Sequence, residues 1–352
     1  MFLRLKMGLM SQFIVKRMCS SLVEKSLVSS LYQRVLSTFP DGMQMALAYG
    51  SGVYQQEGHV DMSKNMLDFI FVVDDPLSWH RQNIRMNPKH YSFLKFFGPK
   101  HVTRVQDKFS AGIYFNTLVP FEERVIKYGV ISTDRLITDL LDWDTLYVSG
   151  RLHKPVKLLI LPKNASLLSA MQINLQSAVH AALLMLPEFF SEEDLYIAIT
   201  GLSYNGDFRM TVGEDKKKIM NIVKPNIEYF RRLYETILDH EEHIYWHKSK
   251  GNFEQYPNYI SQYHHLSLLP KNVQTHLVEM RSHGGSSPDL EEVLRVFAHD
   301  RNCDEHVAKI IANIVWWSSV FQSVKSVFTA GVMKSFRYSG KKLRKMFKSQ
   351  SK

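Results

Sequence analysis

The stretch MLDFIFVV (66–73) leaves this chain the least freedom, because it holds a single charge, Asp68, in an otherwise apolar run. Such a run reads as a strand, and a carboxylate within it is expensive to bury without a partner. Asp68 therefore needs a metal ion or a cation. Upstream, MQMALAY (43–49) reads as a short buried strand running into Gly50-Ser51-Gly52. AGIYFNTLV (111–119) and RVIKYGVIS (124–132) read as two further strands able to pair antiparallel. Leu27, Leu31, Val35 and Phe39 recur at helical spacing within 22–39, and Pro40-Asp41-Gly42 ends that helix. Residues 78–108 read as mostly helical, broken at Pro88 and Pro99.

Beyond residue 132 the pattern changes. Ser132 and Thr133 are candidate caps for a helix, VKLLI (156–160) reads as a strand, and a long apolar helix spans about 166–186. Ser191-Glu192-Glu193-Asp194 caps another helix, since early carboxylates suit a helix N-terminus. DFRMTV (207–212) and KIMNIV (218–223) flank Gly213-Glu214-Asp215-Lys216 and read as a hairpin. Helix, helix and two-stranded wing make a winged-helix arrangement. Residues 226–330 read as helical with a loop-rich middle that includes 284–288. The expected class is α+β: a small mixed sheet with helices, then a winged-helix domain and C-terminal helices. The expected divisions are a presequence (1–23), a sheet domain (24–132), a winged-helix domain (133–225), a helical region (226–314) and a basic amphipathic tail (315–352).

A length of 352 residues gives room for two packed domains. No run reaches the roughly 18 uncharged apolar residues of a membrane span, so an integral membrane protein is not expected. Two cysteines, Cys19 and Cys303, exclude a disulfide framework or a thiolate zinc site. The net charge of +10 is concentrated at the ends: residues 1–23 hold four cations and no acid, and residues 306–352 hold ten and no acid. Removing those cations leaves residues 24–305 at −4, which argues against a nucleic-acid partner.

The first segment, basic, acid-free and amphipathic, has the properties of a mitochondrial transit peptide; the alternative is a frayed N-terminus with no targeting role. At the other end, Val320, Val324, Val327, Phe328 and Val332 form one stripe, with Trp316 and Trp317 at its start. Lys341, Lys342, Leu343, Arg344, Lys345, Met346, Phe347 and Lys348 follow, mixing apolar and basic residues at helical spacing. That is the profile of an interfacial helix on an anionic membrane, each cation contributing about 1 kcal/mol near the surface. The stripe could instead pack on the protein's own core, and the last residues could be a solvated tail.

A Gly-Ser turn after one strand, followed by an acid on the next, is the arrangement used by polymerase-β-like nucleotidyltransferases. Glycine lets backbone N–H groups approach a triphosphate, and a strand carboxylate holds Mg²⁺. An ordinary tight turn, and a carboxylate paired to Lys64 or Lys127, would read the same residues without chemistry. The superfamily's second acid, two positions on, is here Ile70. His240, His243 and His247 do not have the zincin spacing and read as a surface helix, and GLSYNG (201–206) lacks the residues of a phosphate loop.

The blocks ALAYGSGVYQQ, KNMLDFIFVVDDPLSWH, HYSFLKFFGP, IKYGVIST, GRLHKPVK, LPEFFSEEDLYIAITGLSYNGDFRMTVGEDKKKIMNIVKPN and VFTAGVMKS together resemble the mitochondrial-type CDP-diacylglycerol synthase family, over about residues 30–332. The resemblance implies a nucleotidyltransferase domain, a winged helix, a CTP–Mg²⁺ site between them and a C-terminal membrane-binding helix. It further implies CTP and phosphatidate as substrates, at the matrix face of the mitochondrial inner membrane. Gly50, Ser51 and Gly52 are then assigned to the triphosphate and Asp68 to Mg²⁺. Asp207 is the candidate for the missing carboxylate, or else a turn Asp bonding its own backbone. Lys127, Arg151, Lys154 and Arg209 are candidates for phosphate contacts, each otherwise a surface cation. A non-catalytic scaffold at the membrane and a nucleotidyltransferase acting on nucleic acid are the competing readings.

Overall fold

The computed structural model describes residues 30–56, 65–212, 217–256, 258–282 and 288–330. The expected presequence, Lys64, Val332 and the basic residues from Lys341 to Lys348 lie outside these.

Helix α1 (Ser30–Leu36) leads into β1 (Met43–Tyr49) and β2 (Leu67–Val73). Every position of β2 is buried except Asp68. Helix α2 (Pro76–Met86), a 3-10 turn (Phe93–Phe97) and α3 (Pro99–Lys108) follow. Pro99 opens α3, a position where its missing N–H removes no helical hydrogen bond. Strands β3 (Ile113–Phe121) and β4 (Arg124–Ser132) pair antiparallel, as their sequences suggest. The Ser132 hydroxyl then caps α4 (Thr133–Asp142) by accepting from the Arg135 N–H. A single turn, α5 (Ser149–Leu152), precedes β5 (Lys157–Ile160), which pairs with β1.

The five strands run in the order β3-β4-β2-β1-β5. Only β2 and β4 are parallel, so the sheet is mixed. Central β2 is covered on both faces, which is why its alternation of polar and apolar residues vanishes. Phe69, Phe71 and Val73 pack with Phe39, Trp79 and Tyr128 on one side. Ile70 and Val72 pack with Leu136 and Trp143 on the other. Ile70 is thus a core residue, and a second acid there would be buried.

The second half begins with the buried helix α6 (Ala165–Leu183), then β6 (Phe189–Ser191) and α7 (Glu192–Gly201), held by a capping box between Ser191 and Asp194. The expected hairpin at 207–223 is not there. Phe208–Val212 (α8) and Lys218–Val223 (α9) are helical, the first started by the Asp207 carboxylate accepting from the Arg209 N–H. After α10 (Ile227–Leu238) the chain does form a hairpin, β7 (Ile244–His247) and β8 (Asn252–Gln255), within a stretch expected to be helical. Strand β8 also pairs with β6, giving a three-stranded sheet whose aromatic side chains stack: Trp246 on Phe253, and Phe253 on Phe190. Four helices finish the described chain: α11 (Tyr259–Ser267), α12 (Lys271–Arg281), α13 (Leu290–Ala298) and α14 (Cys303–Ala330).

Helix α14 is long and apolar enough, by length and composition, to cross a membrane, which the sequence reading expected of no segment. Its distal half is packed with its polar side inward. Ser318, Ser319, Gln322, Lys325 and Thr329 are buried, while Trp317, Phe321, Val324 and Phe328 are each more than half exposed. The Lys325 ammonium donates to the carbonyls of Gln106 and Phe109 at 2.9 and 2.7 Å, tying the helix to the end of α3.

Candidate active site

The strand register brings the predicted glycine turn and acid together. Antiparallel pairing places Tyr49 opposite Asp68, and parallel pairing places Asp68 opposite Lys127. Gly50 therefore lies directly over the carboxylate: a Cβ there would sit 3.3 Å from Asp68 Oδ2. Its φ of +83° is one that side chains disfavour. The turn is closed by the N–H groups of Val53 and Tyr54, both donating to the Gly50 carbonyl at 3.0 Å. Gly52 approaches the Met66 carbonyl so closely that a Cβ would lie 2.6 Å from its oxygen. Ser51 accepts through its carbonyl from the Asn65 amide at 2.9 Å.

Lys127 faces the other carboxylate oxygen, Nζ to Oδ1 3.7 Å, and lies 4.4 Å from the centroid of the Phe115 ring. The ion pair foreseen as the alternative to metal binding is thus formed. Both side chains remain about one-fifth exposed, so water or a ligand reaches them. Asp68 and Lys127 form a small dipolar pair at the sheet surface beside a glycine turn.

An adjacent open pocket, about 350 Å³ with the solvent at its mouth, collects Arg151, Asp207 and Arg209. Asp139, fully buried, organises one wall: it accepts from the Thr145 N–H and hydroxyl, and from the N–H groups of Val148 and Ser149. Those bonds fix the turn α5, from which Arg151 extends over the Tyr49 ring at 4.6 Å. Tyr49, opposite Asp68, links this pocket to the acid. Lys154 is buried, donates to the Gly150 carbonyl and to the Ser203 hydroxyl, and lies 5.1 Å from the Tyr204 ring centroid. Burial, and then the neighbouring Arg151 charge, push its pKa well below the usual lysine value. An ammonium so placed gains from an arriving anion.

Asp207 does not sit on a wing. It lines the pocket from the head of α8, with both oxygens engaged by the Arg209 guanidinium and one also accepting from the backbone. The turn-Asp alternative describes this geometry. Val315, Ser318 and Ser319 of α14 form a further wall, and the Ser319 hydroxyl accepts from the Phe208 N–H at 3.2 Å. Sequence reasoning missed Tyr147 and Tyr204 as aromatic walls and Tyr49 as the ring beneath Arg151. It also set aside GLSYNG, which supplies Ser203 and Tyr204 to the pocket.

The donor set suits Mg²⁺, which is commonly held by one or two carboxylates while phosphates and water fill the remaining positions. Asp68 offers one carboxylate, and the missing Cβ of Gly50 leaves room above its Oδ2. Asp207, clasped by Arg209, would have to exchange that partner to act as a ligand.

Cations, glycines and a carboxylate are chemistry that suits a phosphate-rich ligand, and relatives of known activity bear on the class of protein. A family described as mitochondrial phosphatidate cytidylyltransferase matches residues 32–345. The Xenopus laevis protein of that name is 50% identical over 320 residues, 90% of this chain and 95% of its own. The human protein of that name is 49% identical over 306 residues, 87% of this chain and 67% of its own. The Caenorhabditis elegans protein so named is 40% identical over 321 residues, 91% and 99% of the two chains. The class is therefore that of the nucleotidyltransferases, enzymes that move a nucleotidyl group. Within it, the chain belongs to the mitochondrial phosphatidate cytidylyltransferase family.

Proposed function

We propose that this chain condenses CTP with phosphatidate to give CDP-diacylglycerol and diphosphate, at the matrix face of the mitochondrial inner membrane, where the product feeds cardiolipin and phosphatidylglycerol synthesis. The observation that carries the site assignment is Asp68, the one exposed position of a buried strand, set between Gly50 and Lys127. In this reading the Gly50–Gly52 turn takes the triphosphate, and Asp68 holds Mg²⁺. When bound, Mg²⁺ supplies charge neutralisation across the phosphates.

Little proton chemistry is required. The phosphate of phosphatidate has its second pKa near ~6, so it arrives largely as the dianion and is its own nucleophile. One of its oxygens attacks the α-phosphorus of CTP, the bond from that phosphorus to the bridging oxygen breaks, and diphosphate leaves with the electron pair. The protein then has to align the two phosphates and offset their charge. In this reading Lys127, Arg151, Lys154 and Arg209 would do so, Lys154 from a buried position behind Ser203, and Asp207 would keep Arg209 in position. Consistent with a winged helix, its wing at 244–255 and not at 207–223, are α6, β6, α7, α10, β7 and β8, with α8 and α9 interposed after α7, and the pairing of β6 with the hairpin.

The lipid substrate stays in a bilayer, so the enzyme must sit on one. The outward apolar side of α14, with exposed Phe109 at the point where Lys325 anchors it, supports a peripheral membrane-facing surface. The basic tail would add attraction to anionic headgroups.

The test is incorporation of labelled CTP into lipid by the purified chain with Mg²⁺ and phosphatidate vesicles. The Asp68→Asn protein is expected to lose about 100- to 1,000-fold in kcat, a few kcal/mol of transition-state stabilisation, while its unfolding temperature stays within a few degrees of wild type. A folded Asp68→Asn enzyme with full turnover would remove the metal assignment. Failure of the wild-type chain to make any product would favour a scaffold.

A further inference from the structure

Away from the cleft, α6, the turn after α10 and helix α11 meet around a second set of ligand-type side chains. His180 comes from α6, Glu241 from the turn, and His264 and His265 from α11. One ligand atom from each lies within 4.8 Å of the others. His180 Nδ1 is 3.1 Å from His265 Nδ1 and 3.6 Å from Glu241 Oε2, and His264 Nε2 is 3.7 Å from Glu241 Oε1. We propose that these four side chains form a structural site for a first-row divalent transition metal of the zinc class.

The spacing approaches that of a tetrahedral shell. With metal–nitrogen and metal–oxygen bonds of roughly 2.0–2.2 Å, neighbouring ligand atoms stand about 3.3–3.6 Å apart. The His180–His265 and His180–Glu241 separations lie close to that edge and all four ligand atoms lie within 4.8 Å of one another, so side-chain adjustments of about an ångström would close the shell. Three imidazoles and one carboxylate favour zinc and its neighbours over magnesium or calcium, which prefer oxygen alone.

The surroundings prepare the donors. Burial and the adjoining imidazoles hold His180 down to about 3 and His265 down to about 2, so both rings keep a free lone pair at neutral pH. A ligand set that carries no protons to expel binds metal without that penalty. A His180–His265 hydrogen bond would satisfy two nitrogens, and Glu241 Oε1 accepts from the His243 N–H at 3.2 Å, but the carboxylate, 7% exposed, otherwise faces rings that burial keeps uncharged. A divalent ion answers both. Among the described residues Nε2 of His265 has no hydrogen-bond partner, and the polar engagement of that ring, through Nδ1, is on the side facing the cluster. His264, 38% exposed, supplies the entry path, and His243 packs 4.4 Å from it, centroid to centroid.

The site would cross-link three elements that are distant in sequence, and it shares no residue with the cleft. It stands or falls independently of the activity proposed above. The full chain, stripped with a chelator and then given Zn²⁺ alone, is expected to retain about one zinc ion after dialysis and to unfold at a higher temperature. Co²⁺ in its place is expected to give the intense visible bands of a four-coordinate ion. Glu241→Gln and His264→Gln change the two ligands nearest solvent or in a turn, and each should weaken Zn²⁺ retention at least ~10-fold. Should either variant fail to fold, the Co²⁺ spectrum of the wild type decides alone. Less than about a tenth of an equivalent of retained zinc, an octahedral Co²⁺ spectrum, or unchanged retention in folded variants would overturn the proposal.

Discussion

At the scale of single residues, the site depends on what Gly50 lacks. Gly50→Ala would force a left-handed backbone on a residue with a side chain, at about 1–2 kcal/mol. Its methyl would also press on Asp68 Oδ2 from 3.3 Å. The expected outcome is a KM for CTP raised several-fold and an unfolding temperature a few degrees lower, read by steady-state kinetics and thermal denaturation. An unchanged KM would mean that triphosphate does not use this turn. Gly50 and Asp68 were legible in the sequence because strand patterning is local: an apolar run, a break, and one charge that such a run does not tolerate. The partner of Asp68 was legible only as a choice. Lys127 is its neighbour through a parallel pairing of β2 and β4, which local sequence does not encode. Arg151 and Lys154 could be picked out as cations, but the Asp139 hydrogen bonds that aim α5 connect segments with no shared pattern.

At the scale of elements, the strands of the five-stranded sheet and the caps at Ser132 and Ser191 follow from sequence, and the hairpin does not. GEDK between two short mixed segments has turn composition, and that resembles a hairpin loop. What decides for helix is Asp207, which binds the Arg209 N–H, together with the seat of α8 against α14. The real hairpin was hidden because β6 has three residues and gains its stability from stacking with Phe253, far along the chain. Lys325 offers a test of how α14 is held. Burial lowers its pKa to about 7, against an ordinary 10.5. The unfolded chain therefore binds more protons than the folded one between those values, and folding stability should rise with pH across that window. Lys325→Met should abolish this rise and leave two carbonyls without a donor, so its deficit in unfolding temperature relative to wild type should widen from pH 7 to pH 9. A deficit that narrows would contradict the burial of this amine.

At the scale of the whole molecule, α14 faces two ways. Replacing Trp317, Phe321 and Phe328 together by Ser removes about half-exposed apolar surface without touching the buried polar side. A fully buried side chain of this kind is worth about 1.5–3 kcal/mol, so partial insertion of three should amount to more than tenfold in vesicle binding. Activity on phosphatidate vesicles should fall in proportion, and activity on a short-chain, detergent-dispersed substrate should not. Removing residues 333–352 should act in the same direction through lost cations. Equal activity of all forms on anionic vesicles would rule out the anchoring role.

The same helix that presents greasy rings outward also walls the pocket with Val315, Ser318 and Ser319. Trimming the C-terminus back through α14 to obtain a better-behaved sample would open the chamber it was meant to preserve. Point changes on the outer side leave that wall in place.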